Sequence, residues 1–278
     1  MELQRNADNT SNSLYSAPKM LNPHILTITN RNSINLFVGI HLIAAATLFA
    51  GYISAAEKKI RAEDTEQWEP IPQVIAPGNI PQDAIALFDG RNLDAWVGSD
   101  GEAARWRVKD NTMTVLPGSG GIATRQKFCD IQLHIEWRSP EKVEGKSGQF
   151  LGNSGVFLPG GYEVQVLDSH NNRTYSNGQA GSIYKQSPPL VNAIAPTGEW
   201  NTYDILFTAP TFNRSGELHS PAYVTVLHNG VVVQNHFEIQ GKTRYRGWPK
   251  YKAHGCSPIE LQDHGDKVSF RNIWVREI

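Results

Sequence analysis

The strongest constraint on this chain is a side-chain period of two. In residues 131–138 (IQLHIEWR), Ile131, Leu133, Ile135 and Trp137 fall on one face, and Gln132, His134, Glu136 and Arg138 on the other. That is the pattern of a strand with one buried and one wetted side. Residues 162–166 (YEVQV) alternate in the same way, and residues 223–233 place Asn229-Gly230 between two β-branched runs, a strong hairpin signal. Further strands are expected at 104–108, 112–115, 155–158, 181–184, 201–208, 259–264 and 268–276. Glycine-rich turns at 117–121, 152–155 and 159–161 separate several of them. No long stretch carries a period of 3.6, so helices should be few. Many short strands in the last 195 residues predict an all-β fold, a two-sheet antiparallel sandwich or jelly roll.

The sandwich does not account for the whole chain. Residues 34–56 contain no Lys, Arg, Asp or Glu, and a run of that length reaches the roughly 20 residues a spanning helix needs. It ends in Ser54-Ala55-Ala56, which puts small residues at the −3 and −1 positions of a cleavage site before Glu57. Two readings stay open. One is an export signal cleaved after Ala56, with Met1 or Met20 as the start. The other is a retained anchor, whose orientation the flanking charges leave undecided (Lys19 and Arg31 against Lys58, Lys59 and Arg61). Both readings put the main domain in the periplasm or cell envelope, where Cys129 and Cys256 can pair. Spacing alone does not fix that pairing. Pro70, Pro72, Pro77 and Pro81 make residues 57–83 an extended linker. The expected organisation is therefore a signal or anchor over 1–56, a linker over 57–83 and one domain over 84–278.

Charge narrows the function classes. With 26 Lys+Arg against 27 Asp+Glu, no net field would hold a polyanion, so nucleic-acid binding is disfavoured. Two cysteines cannot build a multi-cysteine zinc site, and no nucleotide-binding fingerprint is present. The basic, aromatic segment 242–252 (KTRYRGWPKYK) reads as a loop that offers Trp248 or Tyr245 to a sugar ring. Three strands turn ionisable residues outward: His134, Glu136 and Arg138; Glu163 and Gln165; and Glu260, Gln262 and His264. Side by side, they would form a curved polar surface suited to sugar hydroxyls. Asp168 joins Glu163 and Gln165 only through a β-bulge near Val166 and Leu167. The spacing is similar to the E-x-D-x-x-E strand of jelly-roll β-glucanases, with Gln165 and Asp168 in place of two of the acids. Retaining hydrolysis requires two carboxyls about 5–5.5 Å apart. Asp168 fits equally well as a turn residue in the segment DSHNN (168–172).

Six segments in one order resemble a known family. They are LFDGRNLDAW (87–96), GNSGVF (152–157), YEVQVLD (162–168), GEWNTY (198–203), the Asn229-Gly230 hairpin, and IELQDHG (259–265) followed by FRNIW (270–274). Together they resemble the 3-keto-disaccharide hydrolase domain family from about residue 85 to the C-terminus. The resemblance implies a concanavalin A-like jelly roll and an exported protein. It also implies action on sugars already oxidised to the ketone at C3, as hydrolase, 1,2-lyase or hydratase. A C3 ketone acidifies the C2 proton, so a base can remove it while the C1 substituent leaves, and water then adds to the enone. Such a route needs a base, an acid and a stabiliser for the enolate, not two carboxylates at nucleophile spacing.

On that reading His264, the residue type that titrates near neutrality, is base or acid, and Glu163 or Asp168 is its counterpart. Arg138 or Lys185 would stabilise the enolate. Gln165, Gln262 and Asn153 would hold hydroxyls, with Glu136 and Trp248 as further substrate contacts. A divalent cation on His264, Glu163 and Glu136 is an alternative Lewis acid. The expected partners are a 3-keto sugar and a separate sugar 3-oxidoreductase that makes it. A non-catalytic carbohydrate-binding module and an ordinary retaining glycosidase using Glu163 and Asp168 are the competing functions.

Overall fold

The computed structural model describes residues 60–278 except 77, 142 and 143. The apolar run 34–56, with the choice between cleavage and anchor, lies outside the described residues. The chain divides into two compact units, Met1–Gln67 and Trp68–Ile278. Within the first, the described residues include one 3-10 turn, Ala62–Thr65, where Arg61 pairs with Asp64 at 3.2 Å. The second carries the β fold.

Its described strands are β1 (Ile85–Phe88), β2 (Trp96–Gly98), β3 (Arg107–Lys109), β4 (Thr112–Thr114), β5 (Ile122–Thr124), β6 (Ile131–Arg138), β7 (Ser154–Leu158), β8 (Tyr162–Val166), β9 (Asn201–Thr208), β10 (Thr211–Phe212), β11 (Leu218–Ser220), β12 (Tyr223–His228), β13 (Val231–Glu238), β14 (Glu260–Leu261) and β15 (Ser269–Glu277). One large sheet runs β13-β12-β9-β6-β15-β4-β3, with β1 also paired to β15. The smaller sheet runs β2-β5-β14-β7-β8, and β10 and β11 form a separate ribbon. The neighbouring strands of both sheets are antiparallel. The all-β sandwich expected from the period of two is the observed fold.

The alternation of β6 shows how the layers seal. Ile131, Leu133, Ile135 and Trp137 are fully buried and join one core with Val156, Val164 and Val166 of the smaller sheet. Each such side chain contributes roughly 1.5–3 kcal/mol through its apolar burial. Buried His228 of β12 belongs to the same interior. Its ring stacks 5.8 Å from Trp137, its Nε2 lies 2.9 Å from Asn201 Oδ1, and burial lowers its pKa to about 4.

Most strands longer than four residues, and the short β4, overlap the expected segments; several other short ones do not. The segment 104–108 enters the sheet only at Arg107, and 259–264 contracts to two residues of β14. Segment 181–184 forms no strand; Ile183 makes isolated bridges to Val164 and Ser187. The unforeseen β2 and β5 have three residues each, too few to display a period.

Cys129 and Cys256 form a disulfide across 127 residues of sequence. A cross-link closing so long a loop restricts the unfolded chain by several kcal/mol, about 4–5 in the chain-entropy account. Thermal unfolding with and without reductant checks this: the midpoint should fall by several degrees on reduction, with the far-ultraviolet spectrum retained below the transition.

Candidate active site

The smaller sheet carries a polar hollow on its outward face, and strand register explains which residues line it. Val97, Ala123, Glu260, Phe157 and Glu163 lie directly opposite one another across five strands, so they share one face. In the neighbouring row Gly155 pairs with Gln165, and Gln262 donates its backbone N–H to Gly155 O at 3.0 Å. On β8, Tyr162, Val164 and Val166 go to the core. Glu163 and Gln165 go to the other face, yet they too are buried, at 4% and 1% exposure.

Two chain segments cover them. The 181–184 segment bonds along the free edge of β8, with Gln165 N–H on Ser182 O (3.0 Å) and Tyr184 N–H on Glu163 O (3.1 Å). This arrangement shields what would be an exposed strand edge. The Glu163 N–H donates to Thr243 Oγ1 at 2.9 Å, which ties down the second segment. The partly covered cavity is about 220 Å³. Asn153, Phe157, Glu163, Gln165 and Gln262 line it, with Tyr184, Thr243 and Tyr245 and the exposed His264.

The electrostatics inside are unusual for a carboxylate. Burial raises the pKa of Glu163 to about 8, and no hydrogen bond from the described residues reaches its carboxyl. The group is therefore a neutral acid at pH 7, able to give a proton. His264 follows β14 in a turn pinned by Asp263, whose Oδ1 accepts from Gly265 N (2.9 Å) and Oδ2 from Gly120 N (3.0 Å). The imidazole is exposed and makes no hydrogen bond to another described residue.

A network behind the cavity fixes the amides. Asn153 donates its backbone N–H to Asp266 Oδ2 (3.0 Å) and its side-chain Nδ2 to Gln149 O (2.8 Å); Lys146 pairs with Asp266 at 2.6 Å. Gln165 Nε2 donates to Asn153 Oδ1 at 3.2 Å, which turns Gln165 Oε1 the other way. That oxygen and Gln262 Oε1 are buried without a partner. An unsatisfied buried acceptor costs about 1–3 kcal/mol, and a ligand hydroxyl would remove that cost.

Residues 83–276 match the model of the 3-keto-alpha-glucoside-1,2-lyase-like domain. The chain belongs to that family. A 3-keto-disaccharide hydrolase of Bacteroides thetaiotaomicron is 27% identical over 240 residues, covering 71% of this chain and 80% of that protein. The crystal structure of a candidate glycosyl hydrolase from Parabacteroides distasonis is 53% identical, with a TM-score of 0.75, and covers 79% of this chain and 97% of that one. A second candidate glycosyl hydrolase from that organism shares the fold at 20% identity and a TM-score of 0.52, with coverage of 71% and 94%.

Within this lyase-like domain the expected site residues divide into three groups. Glu163, Gln165, Gln262, Asn153 and His264 meet in one cavity. Lys185 and Trp248 line an adjoining hollow instead. Lys185 donates to Tyr245 O at 2.7 Å, which corrects its expected place beside the enolate.

The remaining three residues lie elsewhere, and each is a correction. The β7–β8 pairing ends at Val166, and beyond it the Asp168 side chain faces turn partners and not Glu163. Asp168 serves the turn: it accepts from His170 N (3.1 Å) and Thr197 Oγ1 (2.7 Å) and does not line the cavity. Glu136 and Arg138 sit on β6 in the large sheet, whose outward face belongs to the other layer. Glu136 pairs with Arg271 at 2.6 Å and accepts from Asn272 at 2.9 Å. Arg138 stacks over Trp200. The cation triad of His264, Glu163 and Glu136 is therefore not assembled. Among the described residues no three His, Cys, Asp or Glu side chains converge as a metal site.

Sequence reasoning missed Tyr184 and Thr243, which come from loops without a period, and the role of Gly155. A Cβ at Gly155 would stand 2.6 Å from Glu163 Oε1 and 3.1 Å from Phe157 Cε2. The Gly155→Ala variant should thus push the acid out of place. Steady-state kinetics should show kcat down by roughly 10²-fold, the scale of a 1 Å misplacement, while the thermal midpoint shifts by only a few degrees.

Proposed function

We propose that this domain is a carbohydrate-active enzyme that cleaves 3-keto glycosides by elimination across C1–C2 and subsequent hydration, a net hydrolysis. The observation that carries the reading is a neutral carboxylic acid, Glu163, sharing a small hydroxyl-ready cavity with an unengaged imidazole, His264. In the first step a ring nitrogen of His264 takes the C2 proton. The C–H electron pair forms the C2=C3 enolate, which then collapses to the C3 ketone and the C1=C2 bond as the C1–O bond breaks and the leaving oxygen takes the proton of Glu163. In the second step water adds its hydroxyl to C1, and C2 regains a proton. Gln165 Oε1 and Gln262 Oε1 accept hydroxyls of the ring. The Gln262 amide N–H groups and the Tyr245 hydroxyl are the donors available to the enolate oxygen.

The geometry disfavours the competing readings. Among the described residues lining the cavity Glu163 is the one carboxylate, so double displacement lacks a second acid there. A binding module has no use for a carboxyl held protonated at neutral pH. The keto sugar would come from a separate sugar 3-oxidoreductase, and the disulfide fits an exported protein in the periplasm or cell envelope. Incubating the purified domain with a 3-keto-glucoside and with its unoxidised parent tests the proposal. Turnover of the keto sugar alone supports it. Cleavage of the parent would point to an ordinary glycosidase, and binding of either sugar without turnover would point to a module.

A further inference from the structure

A hollow of about 450 Å³ adjoins the acid–base cavity and shares two of its walls, Tyr184 and Tyr245. We infer that this hollow is the leaving-group site and that it selects an aromatic aglycone. The inference rests on the reading of the first cavity as the seat of the keto ring. It places the oxygen on C1 of that sugar at the side of the shared tyrosines.

The two hollows differ in what they offer. In the outer one, the wall formed by Tyr175, Tyr184, Lys185 and Gln186 has its polar atoms already paired within the protein. The hydroxyls of Tyr175 and Tyr184 bond each other at 2.7 Å. Gln186 donates to Gly241 O (3.0 Å) and accepts from Gln240 N (2.8 Å), and Lys185 Nζ is held by Tyr245 O. Along that wall a second sugar ring would find few partners for its hydroxyls, whereas the inner cavity keeps two amide oxygens unpaired.

The outer hollow offers ring faces instead. Tyr245 and Trp248 stand 69% and 84% exposed and line the hollow together with Pro249. Large exposed aromatic surface beside a site marks a place where something is meant to dock. A planar ring covers it at little entropic cost. Lys185 Nζ lies 4.4 Å from the Tyr245 ring centroid and 5.6 Å from those of Tyr175 and Tyr184, a position in which a further electron-rich ring would also meet its charge. The backbone supports the same conclusion. Lys185 has φ of 58°, a left-handed conformation uncommon and costly for a residue with a side chain. Its N–H is pinned to Asn177 O at 2.8 Å, so the strain is held where the side chain faces the hollow.

A matched pair of substrates tests the inference: benzyl and cyclohexylmethyl 3-keto-glucosides of the same anomer. Their leaving alcohols are similar in size and basicity, so a rate difference reports the ring. The benzyl compound should show kcat/KM roughly tenfold higher, and Trp248→Ala should reduce that ratio by roughly fivefold, the scale of one lost aromatic stack. Equal values for the two, or a preference that Trp248→Ala and Tyr245→Ala both leave intact, would overturn aromatic selection while the keto-glycoside chemistry stands. If neither compound turns over, the reading of the inner cavity fails. The outer hollow is then decided by binding, with benzyl alcohol quenching Trp248 fluorescence more strongly than cyclohexylmethanol if it selects aromatics, and no better if it does not.

Discussion

Replacing Glu163 by Gln should lower kcat on a 3-keto glycoside by roughly 10²–10⁴-fold, the usual contribution of a positioned proton donor. The amide keeps the shape and cannot give up a proton to the leaving oxygen. The wild-type pH profile should reveal the same group. Burial raises its pKa to about 8, so the acid is available below that value and kcat falls as pH rises through it. The variant should lose this alkaline limb.

Stability should move the other way. The folded pKa lies above the value of 4.5 expected for an unperturbed Glu, so Glu163 contributes stability that is fully present below about 4.5 and lost as pH rises through about 8. At pH 9 the wild type holds a buried anion that Glu163→Gln does not. The variant should therefore melt higher there by the equivalent of a few kcal/mol. An inactive variant that is more stable at pH 9 separates the loss of an acid from a loss of fold.

The second large effect is expected at His264. The His264→Ala change should reduce the elimination rate by roughly 10²-fold or more, measured as aglycone release in single turnovers. The imidazole is exposed and bonds to no other described residue, so its removal should leave the thermal midpoint in place. Added imidazole should restore part of the rate if the ring acts as a base. A loss of less than about tenfold would remove His264 from the chemistry.

How much of this was legible in the sequence follows from what each feature depends on. Strand β6 was readable to the residue because eight positions repeat one rule, and β8 because Tyr162, Val164 and Val166 leave Glu163 and Gln165 together on the far side. The sheet to which each strand belongs was not legible. Glu136 and Glu163 carry the same local pattern, yet topology sends one to the large sheet and the other to the cavity. Asp168 was ambiguous for a related reason: only its bonds to His170 N and Thr197 Oγ1 show that its side chain serves the turn. Tyr184 and Thr243 reach the site from irregular loops whose positions are set by hydrogen bonds to the β8 edge, and sequence periodicity carries no trace of such bonds. The raised pKa of Glu163 is likewise a property of those covering loops, not of the strand.

The central claim is that the C2–H bond breaks before the glycosidic bond is lost. A 3-keto-glucoside carrying deuterium at C2 tests it most directly, with aglycone release followed in single turnovers against the protiated substrate. The account predicts a several-fold slower release from the deuterated sugar. Equal rates, with the label fully retained at C2 of the product, would contradict it.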